Sequence, residues 1–250
     1  GNFSFSVLSV KLGDNFALQN LNGEIPGRKK IAIVGPSGAG KTTLLRVLQG
    51  LVRPTSGIVE VDGNNLASLD LNFYRHQVCL VDNHPTFFSG TIEENIRRAK
   101  PNLSSNEFNE ILEVSGLTAI SKSLPEGLST HLDVTASTLS QSHKLIVAMA
   151  RGLATSSNLI LLDETAQSLD KYSQLHFKKN IDNITKGKTL VLVTNDLRFL
   201  TEFDHIIVMD EGRIESYGSH DKLLSESKLY QELFEGEQAL SSHIHVDSNV

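Results

Sequence analysis

The stretch Gly35-Pro36-Ser37-Gly38-Ala39-Gly40-Lys41-Thr42-Thr43 constrains the chain most, because it fits the phosphate-loop pattern G-x-x-x-x-G-K-[ST]. Its context fits as well as its spelling. Ahead of it, Lys30-Ile31-Ala32-Ile33-Val34 is short, apolar and β-branched and predicts a buried strand. Behind it, residues 42–49 predict a helix stopped by Gly50. The glycines let the backbone curl so that N–H groups face phosphate oxygens, and the helix N-terminus adds partial positive charge there. In such a loop Lys41 holds the β- and γ-phosphates and the Thr42 hydroxyl reaches Mg²⁺. The competing reading is a plain Gly-rich turn between strand and helix.

The rest of the chain supplies the frame around that loop. Residues 3–34 alternate apolar and polar, with turn signals at Gly13-Asp14-Asn15 and Pro26-Gly27, which predicts a small antiparallel layer. Ile58-Val59-Glu60-Val61 predicts another strand after the Pro54-Thr55-Ser56-Gly57 turn. Gln77-Val78-Cys79-Leu80-Val81 reads as a strand too. The pattern turns helical from about residue 91 to 154, with capping-box spacing at Ser104 and Glu107. Leu159-Ile160-Leu161-Leu162 and Leu190-Val191-Leu192-Val193 are continuous apolar runs, as parallel strands covered on both faces require. Strands alternating with helices imply an α/β fold. Residues 241–250 are polar and read as a disordered tail, His243-x-His245 included.

Composition removes several function classes. The chain has 250 residues, 39% hydrophobic and 21% charged, as a soluble globular domain would. A net charge of −6 gives no general attraction to nucleic acid or anionic lipid. No run approaches the roughly 18 apolar residues of a membrane span, and no signal peptide is visible. Cys79 is the single cysteine, which excludes an intrachain disulfide and suits a reducing compartment. The start at Gly1, without Met, is what a processed or excised piece of a longer polypeptide would show.

Asp163-Glu164 closes the apolar run from Leu159. Carboxylates at the C-terminal end of a buried parallel strand have the placement of a Walker B pair. Asp163 there acts on Mg²⁺, through water, and Glu164 serves as general base for the attacking water.

With these residues in place, the chain resembles the nucleotide-binding domain of an ABC transporter, of the exporter kind, over about residues 3–236. The likeness is carried by the phosphate loop, by Asp163-Glu164, by Phe88-Ser89-Gly90-Thr91-Ile92-Glu93-Glu94-Asn95-Ile96, and by Leu124-Pro125-Glu126-Gly127. Ser168-Leu169-Asp170 resembles the family's D-loop, and Met209–Ile214 with Gly218–Leu224 resembles its C-terminal strands and helix. The resemblance implies a P-loop NTPase core with an N-terminal antiparallel β layer and an inserted helical subdomain at about 91–154, within an ATP-binding domain of residues 1–240. It implies ATP and Mg²⁺ as ligands. Its expected partners are a transmembrane domain and a second nucleotide-binding domain, facing head to tail, at the cytoplasmic face of a membrane; no nucleic acid is expected.

The chain departs from the family at active positions. The signature L-S-G-G-Q is here Leu139-Ser140-Gln141-Ser142-His143, so two side chains stand where glycines would let a backbone approach the opposite γ-phosphate. Ser140 keeps its hydroxyl. The Q-loop glutamine, a metal and water contact, aligns with Asn83, one methylene shorter. The switch histidine aligns with Asn195, which cannot carry a proton. The adenine-stacking aromatic aligns with Leu12, with Phe16 nearby, and Asp133-Val134-Thr135-Ala136 replaces G-E-x-G. With Lys41, Thr42, Asp163 and Glu164 intact, the pattern predicts an exporter ATPase that binds Mg-ATP and hydrolyses it slowly. The alternatives are a catalytically silent ABC domain with a structural or regulatory role, and a soluble ABC ATPase acting on nucleic acid.

Overall fold

The computed structural model describes residues 1–155 and 157–236. The tail expected at 241–250 lies outside the described residues. The chain opens with a long hairpin of β1 (Phe3–Leu12) and β2 (Asn15–Ile25), then enters β3 (Lys30–Val34), whose loop leads into α1 (Lys41–Leu48). β4 (Ser56–Val61) and β5 (Asn64–Asn65) return to β1 and complete an antiparallel sheet ordered β2-β1-β4-β5. The predicted antiparallel layer is thus present and leads into β3, which lies in the second sheet.

After α2 (Leu71–Arg75) and β6 (Val78–Val81) comes a mainly helical stretch. It holds α3 (Ile92–Arg97), α4 (Ser105–Ser115), α5 (Leu117–Ser123) and α6 (Gln141–Ala154). A two-residue ladder of β7 (Gly90–Thr91) and β8 (His131–Leu132) interrupts it, which periodicity over so short a pairing cannot reveal. Capping boxes start two of the helices, Thr91 with Glu94 on α3 and Ser104 with Glu107 on α4. Asn95 is fully buried and explains the Phe88–Ile96 phrase. Its amide accepts from the Phe88 N–H at 2.9 Å and donates to the Phe88 and Thr91 carbonyls at 2.9 and 3.0 Å, pinning the loop to the helix.

The second sheet is completed by β9 (Leu159–Asp163), β10 (Thr189–Val193), β11 (His205–Asp210) and β12 (Arg213–Gly218), with α7 (Lys171–Thr185) between β9 and β10 and α8 (His220–Glu226) after β12. Its order is β12-β11-β3-β10-β9-β6, parallel except for β12. Each continuous apolar strand feeds two cores, because successive side chains point to opposite faces. Ile31 and Ile33, Leu159 and Leu161, and Val191 and Val193 pack with α1 and the antiparallel sheet. Ala32 and Val34, Ile160 and Leu162, and Leu190 and Leu192 pack under α6 and α7. The fold is therefore α/β, as the strand–helix alternation predicts.

Candidate nucleotide site

The parallel register brings the candidate residues to one edge of the sheet. Val193 pairs with Asp163 and with Ile33, and Val81 pairs with Leu162. The loops after β3, β6, β9 and β10, carrying Gly35–Thr43, Asn83, Glu164 and Asn195, therefore leave the same carboxyl-terminal edge, where open α/β sheets bind ligands.

The loop after β3 is shaped by glycine where the chain touches its neighbours. A Cβ on Gly35, at φ 147°, would lie 2.0 Å from the Met209 carbonyl oxygen, and one on Gly40, at φ 94°, would lie 2.4 Å from that of Ala17. Gly40 caps α1 without any side-chain hydrogen bond, and the first turn carries no acidic residue. Its unpaired amide end is thus shaped for an anion. Lys41 is only 5% exposed, and its ammonium donates to the carbonyls of Gly35 and Pro36 at 2.7 and 2.8 Å. Burial holds its pKa below the usual lysine value, while Glu164 and Asp163 pull it back up.

The Thr42 hydroxyl donates to Oδ1 of Asp163 at 3.1 Å. Burial pushes the Asp163 carboxyl up; the Thr42 hydrogen bond opposes that, and the neighbouring Glu164 charge adds to it. Such a carboxylate is poised to gain from a cation. Glu164 follows in the left-handed region, φ 53° and ψ 17°, with its N–H on the Val193 carbonyl at 2.9 Å. A non-glycine residue held there is costly, and such conformations gather at functional sites. Asn195 is exposed just beyond β10. Asn83 is half-buried, and its side-chain oxygen is buried with no hydrogen-bond partner among the described residues. The Thr42 hydroxyl, the Asp163 carboxylate and the orphaned Asn83 oxygen are all oxygen donors, the kind that Mg²⁺ prefers.

The signature segment starts α6. Ser140 is exposed and caps the helix by accepting from the His143 N–H at 3.2 Å, which leaves its own O–H to donate. The expectation that both Gln141 and Ser142 project at that surface needs correction. Gln141 is exposed, but Ser142 is 7% exposed and its hydroxyl turns inward to Asp170. Helical periodicity is the reason: Ser142, Leu145, Ile146 and Met149 share the buried face of α6. Asp170 is the partner that sequence reasoning placed only by resemblance. Its local signal is the N-cap pattern, since it accepts from the Ser173 N–H at 2.9 Å to begin α7.

At the other end of the loop, Leu12 and Phe16 lie on the β1–β2 hairpin, 52% and 48% exposed. Lys11 sits over the Phe16 ring at 4.7 Å from its centroid. Ala17, next to Phe16, is the residue whose carbonyl presses on Gly40, so this hairpin borders the phosphate loop.

Similarity to known proteins agrees with this geometry. Residues 18–167 match the family described as ABC transporter. ABC transporter B family member 2 of Dictyostelium discoideum is 35% identical over 215 residues, 86% of this chain and 15% of that protein. A glutathione/L-cysteine transport system ATP-binding/permease protein of Bacillus subtilis is 32% identical over 207 residues, 83% of this chain and 36% of that protein. The structure of a bacterial Atm1-family ABC exporter with ATP bound superposes at TM-score 0.89 with 28% identity, over 95% of this chain and 42% of that one. The chain thus spans less than half of each of these proteins. No described helix is long and apolar enough to cross a membrane. With the family match extending over more than half of its length, on the α/β fold just described, the chain belongs to the ABC transporter family.

Proposed function

We propose that this chain is the ATP-binding part of a membrane exporter, at the cytoplasmic face of the membrane, working with a transmembrane domain and a second nucleotide-binding domain. Residues 1–240 form the ATP-binding domain, and about 91–154 form its helical subdomain. One observation carries the reading: the Thr42 hydroxyl meets the half-buried Asp163 carboxylate beside the buried Lys41 ammonium, at the carboxyl edge of a parallel sheet.

Gly35, Pro36, Ser37, Gly38, Ala39, Gly40 and Thr43 shape and extend the phosphate cradle, and Lys41 places its charge against the β- and γ-phosphates. On binding, Lys41 exchanges the Gly35 and Pro36 carbonyls for phosphate oxygens. Thr42, Asp163 and Asn83 would hold Mg²⁺, which when bound would neutralise phosphate charge. Glu164 takes the proton of the attacking water. Asn195 and, from the opposite domain, Ser140 contact the γ-phosphate. The Leu12 and Phe16 hairpin receives the base, weakly, because Leu12 cannot stack.

Hydrolysis is slow in this reading. Asn195 cannot replace a histidine, and Gln141 carries a side chain at the exposed signature surface. Ser142 is turned away and does not obstruct. Each lost transition-state donor is worth on the order of 2–4 kcal/mol in oxyanion-type sites, and such losses need not add. Steady-state ATPase of the protein tests this across protein concentration. We expect low turnover, abolished by Glu164→Gln and raised at least tenfold by combining Asn195→His with Gln141→Gly. Robust Glu164-dependent turnover by the unaltered protein would contradict it.

A further inference from the structure

Neither non-glycine residue of the signature is idle. The Ser142 hydroxyl donates to Oδ2 of Asp170 at 2.5 Å and accepts from the Asp170 N–H at 3.1 Å. Ser173 closes the ring: its hydroxyl donates to the same carboxylate oxygen at 2.9 Å and lies 3.4 Å from Ser142 Oγ. One residue earlier, the Gln141 amide donates to the carbonyl of Asn83, in the loop after β6. Two adjacent residues at the tip of α6 therefore bond to two separate core loops of their own chain. A glycine at either position makes neither bond.

We propose that Gln141 and Ser142 are positioning residues, a two-point clasp that fixes the signature end of α6 to the Asp170 turn and to the loop after β6. The tip of the helical stretch and the start of α7 then move as one body. Bonds to an ionised carboxylate are roughly twice as strong as neutral ones, and the two hydroxyls that make them here, Ser142 and Ser173, are buried. The Asp170 carboxyl records the contact: burial pushes its pKa up, but the hydrogen bonds from Ser142 and Ser173 outweigh this and hold it below the usual value. The clasp bears on function only through the reading above, in which Ser140, at the same tip of α6, contacts the γ-phosphate held by the opposite domain. Ser140 would then be presented on a tip already locked to its own core.

The test uses the protein without nucleotide, so its outcome is separate from whether nucleotide binds. Amide hydrogen exchange and the Asp170 carboxyl pKa are measured by NMR in wild type, Ser142→Ala, Ser142→Gly and Gln141→Ala. We expect the Asp170 amide to exchange roughly tenfold faster in both Ser142 variants. The Asp170 pKa should rise in both, while mid-α7 amides such as Ile181 keep their protection. In Gln141→Ala and in the Ser142 variants the Lys144 amide, in the first turn of α6, should also lose protection. An unchanged Asp170 amide and pKa in the Ser142 variants would overturn the proposal. So would an unchanged Lys144 amide in Gln141→Ala.

Discussion

At the scale of single residues, burial decides which groups are chemically available. Cys79 packs on β6 beneath α6, and burial pushes its thiol up to about 11, against the smaller opposing pull of Lys188 and Arg151. At pH 8 only about one molecule in a thousand would carry the reactive thiolate. The native protein should therefore resist a thiol reagent at pH 8 over the time in which the urea-unfolded chain is fully labelled. Equal rates, followed by mass spectrometry, would contradict the buried placement. Lys41 and Thr42 stood out in the sequence because a phosphate loop is a local pattern with a fixed spacing, and Asp163 and Glu164 because they close a continuous apolar strand. The inward turn of Ser142 was encoded too, in its i, i+3, i+4 and i+7 spacing with Leu145, Ile146 and Met149, but comparison with a glycine motif draws attention to the surface instead. Its bond to Asp170 could not be read, since nothing local links positions so far apart.

At the scale of elements, close approach and capping set the energies. Helix α6 crosses β6 at Gly152, where a Cβ would lie 2.1 Å from Cys79 Sγ. Gly152→Ala should gain some helix propensity yet destabilise the protein by about 1–3 kcal/mol through overpacking, measured by urea unfolding. A net gain in stability would show that α6 stands farther from the sheet. The α4 capping box gives a second handle. Lys100 and then Ser104 hold the exposed Glu107 carboxyl down at about 2. A depressed carboxylate contributes stability above its unfolded pKa, about 4.3, and the contribution is lost as pH falls from there toward 2. Ser104→Ala should cost about 1 kcal/mol at neutral pH, the usual worth of a cap, and raise the Glu107 pKa seen by NMR. An unmoved Glu107 pKa would mean that the box does not form. This box was visible as sequence spacing, whereas the Gly152 contact was not, because it depends on how α6 lies across the sheet.

At the scale of the whole molecule, the continuous apolar runs told that strands are covered on both faces, and the two cores sharing β3, β9 and β10 are the physical form of that statement. The strand order was not legible. Pairings such as β3 with both β10 and β11 join residues far apart in the chain, and no local pattern specifies them. Yet that order places the phosphate loop beside Asp163 and Asn195, so the site exists only through the complete sheet. The central claim is that this edge binds Mg-ATP through the loop and Lys41. Thermal unfolding with and without millimolar Mg-ATP, on the wild type and on Lys41→Ala, tests it most directly. At a ligand excess of about a hundredfold over Kd, linkage supplies roughly 2.7 kcal/mol, or a rise of about 5–10 °C for a chain of this size. We expect that rise in the wild type and the loss of most of it in Lys41→Ala. No shift in the wild type, or an equal shift in the variant, would contradict the account.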